Sequence, residues 1–384
     1  MSGLAPVAGH AQLRSALGDA FVRGELSSAL LLHGPTGIGK QRLGLWLAQR
    51  IVCDQSTDSE PCGNCRHCRL ALSLQHPDIH WFFPLARPKS SGGPDKLADT
   101  LEEARAAELA SRREEPWRAA VPGELAGIYL AQVQTLRRMA MSRPAMARTK
   151  VFLIGDAEHL VPQEASTEAA NALLKVLEEP PADTVFIVTA SDPDELLPTI
   201  RSRLTPIRVQ PLPIELVENT IVDAIGAERT AARLAARLSE GSIGRALAFV
   251  PADGDAGPLE RIRLESRELL EAALAPKSTD RLTAALRTSP AGARASFVDL
   301  LDFLALWIRD LAAVAAGAAD QVVNVDSIDR LHFWAKRIPG LAKGTGVALL
   351  NIDLARGMTR SNINPQLTLA SLLRQINKAL TEPD

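Results

Sequence analysis

Two periods of apolar and polar residues alternate along the first half of the chain, and a single period runs through the second. Ala29–His33 is a short continuous apolar run of buried-strand type, and 41–51 carries Leu43, Trp46, Leu47 and Ile51 at helical spacing. A second buried-strand run covers 151–156. An amphipathic helix is predicted over 167–179, with Ala170, Leu173, Leu174 and Leu177 on one face and Pro180-Pro181 as its stop. A third strand is predicted over 184–191, and the segment 196–203 leads into a fourth over 205–209. Apolar strands alternating with helices predict an α/β core, a parallel sheet covered on both faces, with its ligand at the carboxyl ends of the strands. After residue 213 the strand pattern stops. About three short helices are predicted over 214–250, a breaker-rich loop over 251–258, then helices over 259–275, 279–288, 292–318, 327–338, 344–359 and 366–380. Asn364-Pro365 is the start signal of the last one, and the stripe Leu300, Leu301, Leu304 and Trp307 reads as helical core.

Between the first strand and its helix lies Gly34-Pro35-Thr36-Gly37-Ile38-Gly39-Lys40. The spacing Gly34-x4-Gly39-Lys40 requires a tight turn whose N–H groups point at an anion, with the helix N-terminus and the Lys40 ammonium adding positive charge. A phosphate loop of this kind places Ser or Thr next, as a magnesium ligand; this chain has Gln41. The second strand ends in Asp156, where nucleotide hydrolases hold the metal, and many follow that acid with a Glu that polarises water. Here Ala157 follows, and Glu158 comes one residue late. The loop, with Gln41 and Asp156, is a candidate site for ATP or ADP with a degenerate metal position, and no turnover is expected.

The chain's four cysteines fall within sixteen residues, as Cys53-x8-Cys62-x2-Cys65-x2-Cys68. Short C-x2-C loops let two thiolates reach one tetrahedral ion, and the polar sequence between them needs a metal in place of a core. Four thiolates close the shell, so the expectation is a structural zinc, with His67 an exposed neighbour.

Composition narrows the rest. A length of 384 residues with 46% hydrophobic content predicts two or three domains with proper cores. A net charge of −2 means that any DNA contact must come from a local patch. The N-terminus lacks the basic end and apolar run of a signal peptide, and the apolar stretch 303–319 is broken by Arg309 and Asp310. A cytoplasmic protein is expected. Residues about 86–127 form a charge-dense insertion, predicted as an exposed helix without chemistry. Acid-free 128–150 carries Arg137, Arg138, Arg143, Arg148 and Lys150, which suits either a phosphate contact or a solvated face.

The sequence at 171–181, NALLKVLEEPP, the cysteine spacing after the phosphate-loop helix and the IRSR run ending in Arg203 together resemble bacterial DNA polymerase III clamp-loader subunits of the AAA+ class. GSIGRAL at 241–247 resembles the family's second sensor region, and 362–373 its last collar helix. The resemblance implies an AAA+ P-loop core over 1–210 with a zinc module at 53–68, a small helical lid over 211–254 and an all-α collar over 255–384. It implies a hetero-pentameric ring with the motor (gamma/tau) and delta subunits, acting on a sliding clamp and primed DNA. Arg203 then falls where the family places an arginine finger that reaches a neighbour's nucleotide. Gln41, Ala157, and Gly244 where a motor carries its lid Arg, match the non-hydrolysing member of the ring, without ATPase or polymerase activity of its own; the alternative is an ATP-hydrolysing gamma/tau-type motor. Rivals of other classes are an independent ATPase using Lys40, Asp156 and Glu158, and a zinc-dependent nucleic-acid-binding protein.

Overall fold

A computed structural model describes residues 4–56, 58–86, 94–117, 126–160, 168–251, 255–288, 294–338, 341–358 and 364–382. The chain divides into two compact units: Met1–Arg118 with Leu125–Gly226 and Glu240–Gly244, and a second that comprises the rest.

In the first unit the strands are β1 (Ala29–His33), β2 (Ile79–Phe82), β3 (Leu85–Ala86), β4 (Ala126–Gly127), β5 (Lys150–Ile154), β6 (Thr184–Ala190) and β7 (Thr205–Arg208). Among the described residues, five form one parallel sheet in the order β2-β5-β6-β1-β7, and β3 pairs antiparallel with β4. Leu31 lies opposite Val188 and Pro206, Phe152 opposite Phe186, and Trp81 opposite Leu153. Side chains alternate across the sheet. Leu31, Phe152, Ile154, Phe186 and Val188 pack under the helices Leu130–Ala140 and Glu168–Glu178. Leu30, Leu32, Val151, Leu153 and Ile187 pack under Leu43, Leu47 and Ile51 of the helix Lys40–Val52. Both faces are therefore covered, which is why these strands read as unbroken apolar runs. Thr167, the expected first residue of the 167–179 helix, lies outside the described residues.

Strand order changes direction at β1: the chain leaves it for the far edge of the sheet, returns through β5 and β6, and ends on its other side. A parallel sheet binds ligands beyond the carboxyl ends of the strands at such a point. The ends of β1, β5 and β6 meet there.

The insertion differs from its expectation. Residues 87–93 and 118–125 lie outside the described residues, but the helix Pro94–Glu114 is anchored rather than exposed. Leu101 is fully buried, the Arg105 guanidinium lies 4.8 Å from the centre of the Phe82 ring, and that of Arg112 lies 4.4 Å from Trp81 and 4.0 Å from Phe83. Arginine packs flat on aromatic faces in this way, so a charge-dense helix can still cover a sheet edge.

The second unit is helical, with Arg229–Leu238, Pro258–Leu274, Ser278–Arg287, Arg294–Ala315, Ile328–Arg337, Leu341–Met358 and Pro365–Thr381. One cluster that includes Leu300, Leu301, Leu304, Trp307, Leu331, Ile352, Leu372 and Ile376 forms its core. Asp310, one of the charges that interrupt 303–319, is buried and accepts from the backbone N–H of Val323 and Asn324, which fixes the turn before residue 325. The expected loop 251–258 and collar match 362–373 are partly outside the described residues, at 252–254 and 362–363. Asn364 caps the last helix, accepting from Gln366 N–H at 2.9 Å and Leu367 N–H at 3.3 Å. No helix among the described residues is long and apolar enough to cross a membrane.

Candidate functional site

Gly34, Gly37 and Gly39 have φ of 148°, 77° and 96°, values an L side chain resists, and the loop they form turns the chain from β1 into the helix Lys40–Val52. The Lys40 ammonium is buried and donates to the carbonyls of Gly34 at 2.7 Å and Pro35 at 2.9 Å and to Ser191 Oγ at 3.4 Å. Burial lowers its pKa, while Asp156 and Glu158 pull the other way. Thr36 Oγ1 lies 3.0 Å from Ser191 Oγ, so the hydroxyl at the end of β6 faces both the loop and its lysine. His10 Nε2 meets the Ile38 carbonyl at 2.9 Å, and Gly244 N–H donates to the Gly37 carbonyl at 3.1 Å. A Cβ at 244 would sit 3.3 Å from Gly37 Cα, so a side chain there would press on the loop. Arg245, the next residue, is committed within the second unit to Asp299 at 3.2 Å.

The metal position is built differently from that of a hydrolase. Gln41 Nε2 donates to Asp156 Oδ2 at 2.8 Å, and Trp81 Nε1–H donates to Gln41 Oε1 at 3.0 Å. The amide lies against Gly155, where a Cβ would come within 2.6 Å of Gln41 Oε1. Asp156 has φ of 50° and its N–H is held by Thr189 Oγ1 at 2.9 Å. Ala157 is buried; Glu158 Oε1 accepts from Ser191 N–H at 3.1 Å, Oε2 is buried without a hydrogen-bond partner, and burial raises the pKa of the carboxyl. A magnesium ion needs oxygen ligands near 2.0–2.1 Å and a free carboxylate. With an amide donor on Asp156 Oδ2 and glutamine in place of a small hydroxyl at position 41, these residues do not fit it.

The cysteines do fit a metal. Their four Sγ atoms lie within 4.8 Å of one another, with Cys62 and Cys68 3.8 Å apart and Cys53 and Cys65 4.0 Å apart. Zinc–sulfur bonds of about 2.3 Å in a tetrahedron put sulfurs roughly 3.8 Å apart, whereas a disulfide needs about 2.05 Å. Backbone N–H groups of Cys65 and Asn64 pull the Cys62 thiol down to about 6, while burial pushes those of Cys65 and Cys68 up. A bound dication offsets that penalty by favouring the thiolates. His67 is not the exposed neighbour expected: only 12% of its side chain is accessible, and Nδ1 lies 2.8 Å from Nε2 of the buried His76.

Arg203 follows the short helix Pro198–Arg201, which Ile200 and Leu204 pin into the same cluster as Leu173 and Leu177. Its side chain is half exposed and Nη2 lies 3.4 Å from Glu178 Oε1; Arg201 pairs with Asp194. In the basic stretch Arg138, Arg143 and Arg148 are exposed, but Lys150 is buried and donates to the carbonyls of Met139, Ala140 and Ser142, which removes it as a phosphate contact.

The family described as DNA polymerase III, delta subunit, matches residues 9–213. DNA polymerase III subunit delta′ of Escherichia coli K12 is 31% identical over 301 residues, 77% of this chain and 73% of that protein. The chain belongs to the delta-prime/clamp-loader family of DNA polymerase III subunits. The delta′ subunit of Pseudomonas aeruginosa is 32% identical over 181 residues, 47% of this chain and 42% of that protein. The gamma/tau subunit of Mycobacterium tuberculosis H37Rv is 31% identical over 202 residues, 53% of this chain and 28% of that protein. Among solved structures, a DNA polymerase III gamma subunit-related protein from Thermotoga maritima is 15% identical, with a TM-score of 0.37, covering 94% of this chain and 99% of that one. In this chain the five-stranded parallel sheet carries the glycine loop directly after β1, and helices follow the sheet.

Three parts of the site had no sequence signal. Trp81 lies in IHWF, too short and mixed to read as a strand. Ser191 is the last residue of an expected strand, and the two partners of its hydroxyl, Thr36 and Lys40, are far away in the chain. Asp78, buried ahead of β2, accepts from the N–H groups of Ala145, Met146 and Ala147 at 2.6, 2.8 and 2.7 Å and so fixes the loop that enters β5.

Proposed function

We propose that this chain acts as the delta-prime subunit of a DNA polymerase III clamp loader. It does not hydrolyse ATP itself; it supplies Arg203 to the nucleotide of a neighbouring motor subunit. The observation that carries this reading is the Gln41–Asp156 hydrogen bond, with Ala157 beside it, at the position where a motor would hold its metal. An exposed arginine on a rigid support fits the complementary role. Its guanidinium is permanently charged and forked, suited to charge developing on γ-phosphate oxygens.

In this reading residues 1–210 are the ATPase-like core, 211–254 the lid and 255–384 the collar through which the chain joins gamma/tau and delta subunits in a hetero-pentameric ring. The ring opens the sliding clamp on primed DNA in the cytoplasm. Cys53, Cys62, Cys65 and Cys68 hold a structural zinc, and the loop from Gly34 to Lys40 is the site for ATP or ADP. The test is clamp- and primed-DNA-stimulated ATPase of the reconstituted loader. Arginine fingers contribute on the order of 10³–10⁵ in rate at one site, so Arg203→Ala should slow turnover at the adjacent motor in an assembly that remains intact. Arg203→Lys should rescue poorly, and Arg201→Ala should leave turnover near normal. Unchanged turnover with Arg203→Ala, or hydrolysis by the isolated chain that is lost on Lys40→Ala, would overturn the proposal.

A further inference from the structure

We infer that the phosphate loop of this chain takes a nucleoside di- or triphosphate without a divalent cation, because the Gln41 amide occupies the cation's place. The inference rests on the reading of the loop as a nucleotide site and adds which form of the nucleotide that site accepts. Three features carry it.

Both ends of the amide are used. Nε2 donates to Asp156 Oδ2 at 2.8 Å and Oε1 accepts from Trp81 Nε1–H at 3.0 Å, so the carboxylate oxygen that faces position 41 already has a donor on it.

The orientation of the amide is also fixed. An indole N–H only donates, so Trp81 requires the amide oxygen on its side. The amide nitrogen must then face Asp156. Turning the amide over to offer its oxygen to a cation would set N–H against N–H at Trp81.

Trp81 in turn cannot retreat. It is buried in β2, with the Phe83 ring edge-on at 5.4 Å and the Arg112 guanidinium of the insertion helix over its face at 4.4 Å. The insertion thus backs the latch from outside the sheet.

A polyphosphate would instead draw the Lys40 ammonium away from the neutral Gly34 and Pro35 carbonyls and the hydroxyls of Thr36 and Ser191 away from each other, exchanges in which the anion is the stronger acceptor and no metal is needed. A cation that took the place of the amide would displace two hydrogen bonds, one of them to a charged acceptor.

The experiment is calorimetric titration of the full-length chain with ADP and with ATP, once in EDTA and once in excess magnesium. The wild type should bind with the same affinity in both arms, within about twofold, whereas Gln41→Thr should bind about tenfold or more tightly with magnesium than without. Gln41→Thr combined with Asp156→Asn should lose that dependence, and circular dichroism should find each variant folded. Trp81→Phe, which frees the amide to turn, should show an intermediate dependence. Wild-type affinity that rises about tenfold with magnesium would overturn the inference. So would a wild type that binds no nucleotide while Gln41→Thr binds it with magnesium. If neither protein binds nucleotide in either arm, the nucleotide reading itself has failed, and the inference falls with it.

Discussion

Asp78 is a buried carboxylate held by three backbone N–H groups, with His76 and the Lys150 ammonium also in its field. Oδ1 accepts from Ala145 N–H, Oδ2 from Met146 and Ala147 N–H, and the three distances run from 2.6 to 2.8 Å. Burial by itself would raise the pKa of this group, but the three N–H groups outweigh it and leave Asp78 below the usual carboxylate range. Asp78→Ala strips the acceptor from all three donors. Hydrogen bonds to a charged group are worth about 1.5–3 kcal/mol each, an upper sum near 5–9 kcal/mol. The flanks of the loop at Arg143 and Arg148 are exposed and can admit water, so a loss of about 3–5 kcal/mol is expected. Asp78→Asn preserves the volume yet turns an NH2 toward backbone N–H groups, and should cost about 2–4 kcal/mol. Urea unfolding, with hydrogen exchange of the amides at 145–147 as the local probe, measures both. The sign with pH follows from the depressed pKa. Stabilisation is complete above the unfolded value of about 3.9 and is lost as pH falls through the lower folded value, so wild type and Asp78→Asn should converge in acid. An Asp78→Asn protein with unchanged exchange and unfolding at neutral pH would refute the reasoning.

Metal analysis should find one tightly held zinc per chain. Cys65→Ser should lose it and unfold the cysteine module locally, with the sheet's circular dichroism largely retained; unchanged metal content would count against the site. In the second unit, Arg263 is buried among Glu260, Asn324 and Asp326 and under the Trp307 ring. Arg263→Met keeps its bulk but strands two acids. Removing one partner of a buried pair costs about 3–5 kcal/mol, and the partial exposure of Glu260 and Asp326 reduces the expected loss in thermal or urea unfolding to about 2–4 kcal/mol.

What could be read in advance was whatever repeats locally. β1, β5 and β6 announced themselves because strands covered on both faces are continuous apolar runs, and the helices of the second unit because one stripe of each is buried. The glycine loop and the cysteine cluster were legible for a related reason: their chemistry depends on spacing within a few residues. β2 was not legible, since four residues containing His80 carry no period. Pairings across the chain left no trace at all. Trp81 finds Gln41 forty positions away, His76 covers His67, and Arg112 covers two aromatic rings, so each of these side chains took a role that its immediate neighbours did not suggest. Lys150 shows the same limit. It belongs to a basic run by composition, yet its ammonium closes the carbonyl end of the helix Leu130–Ala140.

Cys53 follows Val52 directly and is the C-cap of the phosphate-loop helix. Thirteen residues at about 1.5 Å each make that helix a strut of roughly 20 Å, with the anion loop at one end and the cysteine cluster at the other. Ordinary helix ends fray because their last carbonyls are held weakly. With zinc held by the four cysteines as proposed, this end would be clamped through Cys53, and unwinding it would mean breaking a coordination bond. In the proposed zinc-bound state the last turn of this strut would depend on the metal at its rear, while its front end would remain the turn between β1 and the helix.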